Sequence, residues 1–264
     1  MFSILKGLWQ YRSFIIGSVK REFQTKYRNS LLGALWNVLN PLAMIVIYTI
    51  IFSQVMRAKL PGVDHSFAYS IYLCAGILSW GLFAEIISRS QVMFVDNGNL
   101  LKKINFPRIC IPTIIVGSAL VNFIIVSAIF CAFLLISGYF PGVVILSLIP
   151  VIVILILFAV GLGMTIGVLN VFFSDVGQFF GIFLQFWFWL TPIVYSTAIL
   201  PENFREYISY NPLAGVVMSC QDVLVKGVLP DWHNLLPATI IGAFLCLTGM
   251  HLFKKRAAEM VDEL

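Results

Sequence analysis

The sequence contains few charged residues. Of its 264 residues, 11% are charged and 60% are hydrophobic, and the mean hydropathy is +0.95. A soluble domain of this size is normally about one quarter charged. The composition therefore excludes an ordinary water-soluble domain and predicts an integral membrane protein.

Motifs for nucleotide chemistry and hydrolysis are also missing. No segment fits Gly-x-x-x-x-Gly-Lys-Ser/Thr, the loop whose backbone amides and lysine hold nucleotide phosphates, and no predicted loop is long enough for a nucleotide-binding domain. Neither a His-Glu-x-x-His helix nor a Gly-x-Ser-x-Gly elbow occurs. We therefore expect no catalytic residues and no ATP hydrolysis by this chain alone.

The cysteines and histidines do not form a recognisable site. The five cysteines are odd in number and have no paired spacing, and the three histidines are scattered. No disulfide framework and no metal site are predicted. The cysteines are interpreted as small apolar residues.

A cleavable signal sequence is missing as well, because residues 1–24 lack a continuous apolar core followed by a small-residue cleavage site. Polar or small residues recur every three or four positions instead, facing an apolar stripe. The stripe consists of Ile4, Leu8, Tyr11, Ile15, Val19 and Phe23. This pattern predicts an amphipathic helix in the membrane interface, with its basic face toward the headgroups; packing on a protein partner is the alternative.

Long apolar runs are abundant. A transmembrane helix needs about 20 mainly apolar residues, and six runs qualify: 34–56, 67–95, 112–137, 143–169, 176–196 and 234–253. The predicted fold class is an all-α integral membrane protein, with an N-terminal amphipathic segment (1–30) and a single six-span transmembrane domain (31–264). The stretch NPLAGVVMSCQDVLVKGVLP is too apolar for a free loop and too short for two spans, so it predicts one or two re-entrant or interfacial helices. Asn211-Pro212 marks the turn into it.

The distribution of basic residues predicts the orientation. With six spans and an inside N-terminus, only Arg57, Lys59, Arg205 and Lys226 lie outside. The positive-inside rule therefore places both termini in the cytoplasm. Juxtamembrane bases account for the net charge of +5, so no nucleic acid partner is implied.

Two features within the predicted spans suggest a transport path. Glu85 and Arg89 lie four residues apart on one helix face; they form either a self-neutralised interfacial pair or part of a substrate gate. The fifth run is rich in aromatic side chains, which suit either lipid contact and an interfacial belt or a path that holds sugar rings by stacking. The candidate channel aromatics are Phe179, Phe183, Trp187, Trp189 and Tyr195. Gly163-x-x-x-Gly167 and Gly177-x-x-x-Gly181 are candidates for close helix packing.

Residues 99–112, NLLKKINFPRICIP, form a short cationic segment between the second and third runs. Asn99 is a candidate cap for a short helix that Phe106-Pro107 ends. Leu100, Leu101 and Ile104 form its apolar edge, and Lys102 and Lys103 point elsewhere. Such a helix either anchors to anionic lipid or docks on a cytoplasmic partner.

Four stretches together resemble a known family. KYRNSLLGALWNVLNPLAMIVIYTIIFS (Lys26 to Ser53), NLLKKINFPR (Asn99 to Arg108), WFWLTPIVYS (Trp187 to Ser196) and YNPLAG (Tyr210 to Gly215) are similar to segments of ABC-2 type permeases that export bacterial polysaccharides. They occur in the family's order and cover nearly the whole chain. In VFFSDV the family commonly has arginine where Ser174 stands, which puts in doubt a charged contact at that turn, although Asp175 remains.

The resemblance implies a half-transporter in the bacterial inner membrane. Two copies would form the path, and two copies of a separate ATPase, which binds ATP and Mg, would bind beneath them. The implied substrate is a glycan on undecaprenyl diphosphate. O-antigen is the first candidate for this glycan, and teichoic acid and capsule are the alternatives. The implied ATPase-coupling residues are Asn99, Leu100, Leu101, Lys102, Lys103, Ile104, Asn105, Phe106, Pro107, Arg108 and Asp175. The implied substrate-access and gate residues are Lys26, Tyr27, Arg28, Glu85 and Arg89, with Lys102 or Lys103 as further candidates to meet the diphosphate.

Three alternatives remain at this point. An exporter of drugs or small lipids would share the fold and the need for an ATPase. A channel or ion-coupled carrier would work alone, but such a carrier is expected to have more buried carboxylates. A membrane enzyme that modifies glycans lacks any evident catalytic cluster in this sequence.

Overall fold

The computed structural model describes residues 7, 9–26, 35–55, 60, 67–102 and 108–263, except the side chains of residues 26, 37, 53–55 and 261. Every regular element within these ranges is a helix. The α-helices are α1 (Arg12–Lys26), α2 (Trp36–Thr49), α3 (Ala68–Asp96), α4 (Gly98–Leu101), α5 (Cys110–Ser137), α6 (Leu148–Phe172), α7 (Asp175–Leu190), α8 (Glu202–Ser209), α9 (Pro212–Lys226), α10 (Trp232–Arg256) and α11 (Glu259–Glu263). A π-helical stretch, Ile50–Val55, continues α2, and 3₁₀ turns occupy Gly142–Ser147 and Thr197–Ile199.

Among the residues that the structure describes, four helical stretches are long and apolar enough to cross a membrane: α3, α5, α6 with its preceding 3₁₀ turn, and α10. Their bounds agree with the predicted runs 67–95, 112–137, 143–169 and 234–253 to within a few residues. Helices α2 and α7 lie at the other two predicted runs but are shorter. The 16 residues of α7 extend about 24 Å, less than the roughly 30 Å of hydrocarbon.

The ends of the helices follow local sequence signals. Gly138, at φ 79°, ends α5, and Gly227, at φ 63°, ends α9, because glycine adopts the left-handed conformation without steric cost. Asn211 and Asp231 cap α9 and α10 by accepting from the amides of Leu213 and His233. The predicted turn at Asn211-Pro212 is thereby confirmed.

Helix α6 packs against α3 and α10 at the distance of backbone contact. A Cβ at Gly163 would lie 2.7 Å from the Ser90 Cβ, and one at Gly167 would lie 2.5 Å from the Ser90 carbonyl oxygen. Close packing at Gly163-x-x-x-Gly167 is confirmed. At the second motif, a Cβ on Gly177 would approach Asn170 at 2.6 Å, but one on Gly181 would meet no atom within 4 Å. Gly181 therefore makes no close packing contact with the described part of the chain.

Three apolar clusters lie along the helices. The central one joins α3, α6, α7 and α9 around Phe83 and Phe158. A second cluster, around Phe94, Leu101 and Phe253, lies where α3, α6 and α10 end and α5 begins. We call this the basic end, since Lys254, Lys255 and Arg256 close α10 there. The third cluster, around Ile71 and Phe130, lies at the opposite end.

The predicted apolar stretch after residue 197 forms helices. Helix α9 is buried along one face, with Leu213, Val216, Cys220 and Val223 nearly inaccessible, and it contacts α3, α6 and α10. Helix α8 is exposed along most of its length. The interpretation that this region is not a free loop is supported.

The glycine contacts predict a selective effect of substitution. In Gly161→Val the new side chain meets the Cys246 amide nitrogen, 2.6 Å from an added Cβ, and Leu245 C at 2.8 Å, and backbone atoms cannot move aside cheaply. We expect a loss of about 1–3 kcal/mol, which lowers the thermal midpoint by about 2–4 °C per kcal/mol. Unfolding in detergent measures this. Gly181→Val is the matched control, and an equal decrease in both variants would contradict the packing argument.

Candidate functional site

A cavity of about 750 Å³ lies at the basic end, between α1, α3, α4 and α5. Its wall from α1 includes Phe14, Ser18 and Glu22, and its wall from α3 includes Glu85 and Arg89. Helix α1 lies against α5, and Val19 of the predicted apolar stripe faces it, since its Cγ2 lies 3.2 Å from a Cβ added at Gly117. Tyr11, Ile15 and Phe23 of that stripe are partly buried. Ile4 and Leu8 of that stripe lie outside the described residues.

Five polar side chains form a connected group on the wall of this cavity, which we call the charged cluster: Glu22, Glu85, Arg89, Ser118 and Asn122. Arg89 Nη2 lies 2.6 Å from Glu22 Oε1, and Arg89 Nη1 lies 3.9 Å from Glu85 Oε1. The Ser118 hydroxyl donates to Glu22 Oε2. Asn122 Nδ2 donates to Glu85 Oε2 at 2.9 Å. The cluster thus joins α1 to both α3 and α5.

The predicted pairing of Glu85 with Arg89 is present, but it is the longer of two contacts. Glu22 provides the short one, and Glu22 was not predicted as a site residue. One signal in the sequence points to it: it is the only acidic residue before Asp64, in a segment that is otherwise basic. The sequence does not indicate which basic residue Glu22 pairs with, since Lys26 lies four positions away on the same helix.

The charged cluster is partly accessible. The exposed fractions of the side chains are 30% for Arg89, 42% for Glu22 and 28% for Glu85. Ion pairs with this degree of solvent contact contribute about 0–1 kcal/mol to stability. Their main effect is therefore to orient α1 over the cavity, and the contact can exchange for another anion at low cost.

The balance of charge limits what the cavity can bind as it stands. Arg21 and Arg89 line it together with three carboxylates, Glu22, Glu85 and Asp96. Both terminal nitrogens of Arg89 face a carboxylate. Because Glu22 Oε1 makes the short contact to Nη2, an anionic ligand that binds Arg89 in that position must displace Glu22.

The structure describes one of the three remaining predicted access residues. Lys26 is the last residue of that helix, and Tyr27 and Arg28 lie outside the described residues.

The predicted coupling segment begins with the short helix α4. Asn97, rather than Asn99, flanks its start, and Asn97 Nδ2 donates to the Met93 carbonyl at 2.8 Å. Asn99 is exposed within the helix, so the prediction that Asn99 caps it is wrong. The helix starts earlier because the Asn97 side chain closes the end of α3 directly beside it.

The coupling segment is tied into the basic end. Leu101 is 2% exposed and belongs to the apolar cluster with Phe253 and Met260, Leu100 lines the cavity and Lys102 is exposed. Arg108 donates to the Ala257 carbonyl at the end of α10, where a cation complements the helix dipole. Asp175 is exposed in the first turn of α7. Lys103, Ile104, Asn105, Phe106 and Pro107 lie outside the described residues.

The predicted channel aromatics have different environments. Phe179 and Trp189 are 61% and 64% exposed, whereas Phe183 is partly buried and stacks on Phe179 with centroids 5.9 Å apart. Trp187 packs among the core rings of Trp80, Phe83 and Phe158. Tyr195 is partly buried and donates from its hydroxyl to the Trp189 carbonyl at 2.9 Å.

Polar side chains hold the irregular segment Thr191–Tyr195 that follows α7. Tyr72 donates to the Tyr195 carbonyl at 2.8 Å, Tyr69 donates to the Val194 carbonyl, and Gln221 Nε2 donates to the Pro192 carbonyl at 3.1 Å. Backbone groups at membrane depth need such partners because lipid offers none. Sequence reasoning did not select Tyr69, Tyr72 or Gln221, because nothing local indicates which carbonyls they meet.

Asn211 connects two of the stretches on which the family resemblance rests. Its Oδ1 accepts from Trp187 Nε1 at 3.0 Å, and its Nδ2 donates to Thr191 Oγ1 at 3.0 Å and to the Leu190 carbonyl at 3.2 Å. The first half of WFWLTPIVYS and the start of YNPLAG therefore form one hydrogen-bonded unit.

Comparison with known proteins identifies the family. A family model described as ABC-2 type transporter matches residues 15–224, including most of α1, the charged cluster and most of α9. The chain belongs to the ABC-2 type transporter family. This ABC-2 permease is 32% identical over 245 residues to the O-antigen export system permease protein RfbA of Klebsiella pneumoniae, covering 91% of this chain and 92% of the relative. It is 27% identical over 266 residues to RfbA of Myxococcus xanthus, covering 100% of both, and 23% identical over 245 residues to the polysialic acid transport protein KpsM of Escherichia coli, covering 91% and 92%.

The contacts of Asn211 predict a loss of stability in Asn211→Ala. The variant removes the cap of α9 and leaves Trp187 Nε1 and Thr191 without their partner. We expect a loss of about 2–4 kcal/mol, visible as a lower thermal midpoint and faster proteolysis of the purified ABC-2 permease. Asn203→Ala, at an exposed position of α8, is the control and should match the wild type. A normal midpoint for Asn211→Ala would contradict this role.

Proposed function

We propose that this ABC-2 permease is the membrane-spanning subunit of an ATP-driven exporter of polysaccharide linked to undecaprenyl diphosphate. The substrate is O-antigen, which moves from the cytoplasmic to the periplasmic side of the bacterial inner membrane. The observation that carries the proposal is the similarity, along nearly the entire chain, to two permeases named for O-antigen export.

The proposed assembly contains two copies of this chain and two copies of an ABC ATPase that binds ATP and Mg. Each copy crosses the membrane six times, with α2 and its π-helical extension and α7 as the additional spans and with both termini in the cytoplasm. Two observations support a dimer. Six helices of about 10 Å diameter barely surround a conduit for a polymer, and a two-fold dimer is the commonest closed assembly.

The proposed coupling is mechanical. The basic end then faces the ATPase, and residues 99–108 with Asp175 form the docking segment. Closure of the ATPase dimer moves this segment, and the contacts of Asn97 with α3 and of Arg108 with α10 carry the motion into the bundle.

The proposed route of the substrate begins at the cavity under α1. Arg89, together with Lys26 at the end of α1 and with Tyr27 and Arg28, which follow it in the sequence, meets the diphosphate, since guanidinium groups bind phosphate through paired hydrogen bonds. Glu85, which lies next to Arg89 on the cavity wall, forms the gate together with it and partly offsets its positive charge. Phe179, Phe183, Trp187, Trp189 and Tyr195 are the proposed sugar-contacting aromatics along the path.

One alternative substrate is favoured by a specific observation. The similarity to a polysialic acid transport protein supports capsule export as the second candidate.

The export proposal predicts a defined defect in a strain that lacks this gene. Finished O-antigen should accumulate on the cytoplasmic side and disappear from the cell surface, as measured by protease-free lysis and labelling with glycan-specific antibody. Re-expression of the chain restores surface labelling only when the cognate ATPase is active. Normal surface polymer in the deletion strain would contradict export, and ion-driven flux by the purified chain without ATPase would favour a channel or carrier.

The coupling proposal predicts that Lys102→Glu with Lys103→Glu, or Phe106→Ala alone, separates ATP hydrolysis from export. The chain should still insert and reach the membrane in normal amount, while substrate-stimulated ATPase activity and surface polymer fall at least tenfold. The same charge reversal at Lys254 and Lys255, which are exposed at the same end, is the matched control. Wild-type export in all coupling variants would overturn the assignment of the segment.

A further inference from the structure

A second cavity lies beside the charged one. It is an apolar groove of about 230 Å³ between α2, α3 and α5. Tyr48 and Pro41 of α2, Leu78 and Gly81 of α3, and Val126 of α5 line it. Because its lining is mainly apolar, the groove suits a hydrocarbon chain.

The groove and the charged cavity meet. Glu85 and Asn122, joined by a 2.9 Å hydrogen bond, belong to the lining of both. On one side of this pair lie Arg89 and Glu22, and on the other side lies an apolar surface that runs along α3 toward Cys74. A ligand that fits both volumes has a polar head and an apolar tail.

At Gly81 the groove has room that a side chain would fill. A Cβ built there meets no atom within 4 Å, whereas one at Gly76 of the same helix would lie 2.8 Å from Gln221 Nε2. Gly76 is required for helix packing, but Gly81 is not. Its lack of a side chain keeps the groove open.

In the charged cavity, the carboxylate of Glu22 already occupies a position that suits a phosphate group. Glu22 Oε1 lies 2.6 Å from Arg89 Nη2, and its Oε2 accepts from Ser118. A phosphate oxygen would use the same two donors, since carboxylate and phosphate present similar oxygens to guanidinium. Glu22 therefore occupies the position that a phosphate of the ligand would take, and α1 carries it.

We propose that the cavity and the groove form one binding site for the lipid carrier of the substrate. The diphosphate displaces Glu22 from Arg89 and Ser118, and the first isoprene units lie in the groove beside Gly81. Displacement of Glu22 frees α1 from α3, so binding of the carrier and opening of the cavity under α1 are one event. This inference rests on the proposed function, because it takes the prenyl diphosphate of that substrate as its ligand.

The test measures binding of labelled farnesyl diphosphate to the purified chain with its ATPase in phosphatidylcholine nanodiscs, with inorganic diphosphate as the tail-free probe. Gly81→Phe fills the groove and should weaken farnesyl diphosphate binding about tenfold without changing binding of inorganic diphosphate. Gly181→Phe, the same change at another position with no atom within 4 Å, should leave both unchanged. Equal affinities for farnesyl diphosphate in the two variants would rule out the groove as the tail site.

The second pair of variants tests whether the diphosphate displaces Glu22 from Arg89. Glu22→Gln removes the competing charge and should strengthen binding of farnesyl diphosphate about two- to fivefold, the range of an exposed ion pair. Arg89→Gln should weaken it at least tenfold. If Glu22 and Arg89 formed only a structural pair, both variants would detach α1 and would change binding of farnesyl diphosphate in the same direction. That result would overturn the proposed displacement of Glu22.

Two further outcomes separate this site from the proposed function. If excess phosphatidylethanolamine or phosphatidylglycerol displaces farnesyl diphosphate, the groove is a phospholipid site and the inference is wrong, while the export proposal stands. If the deletion strain exports normal polymer, the proposed function fails, whatever the chain binds.

Discussion

The structure depends on the contact of α6 with α3 and α10 at backbone distance. Lipid supplies no hydrophobic force between helices, so close van der Waals contact must hold them together. Glycines on both sides make this possible: an added Cβ at Gly242 would lie 2.9 Å from the Phe158 Cα, and one at Gly249 would lie 3.1 Å from the Gly161 carbonyl oxygen. These three helices form a rigid unit, and the α3 face that carries Glu85 and Arg89 is fixed by it.

The helices outside this unit are held more loosely. Helix α2 has one nearly inaccessible side chain, Ile45, and α7 has one, Leu184, while most of their other large apolar side chains are exposed. Helix α1 is joined to α3 through one partly exposed ion pair, Glu22 with Arg89. The proposed site thus lies between α3, which belongs to the rigid unit, and α1 and α2, which can move against it at low cost.

Much of this architecture was predictable from the sequence, because apolar runs and helix signals are local. The bounds of α3, α5 and α10, the turn at Asn211 and the packing glycines at 163 and 167 all follow from such patterns. The site was predictable only in part: Arg89 was identified, but Glu22 lies 67 positions away in sequence. Which distant residue pairs with an arginine depends on how α1 docks, and no periodicity encodes that. The cap of α4 was misplaced by two residues for a related reason, since Asn97 bonds to the preceding helix.

In the proposed coupling, a short segment would move a large bundle through contacts at its two ends. At its start, Asn97 bonds to Met93 in α3, and at its end, Arg108 bonds to Ala257 at the end of α10. These are the two helices that clamp α6 through glycines. A force on the segment therefore acts on both sides of the rigid unit together, and close-packed helices move as a body because their contacts are not continuously deformable. The loosely held α1, joined to that body at Arg89, is where such a displacement opens the cavity at least cost.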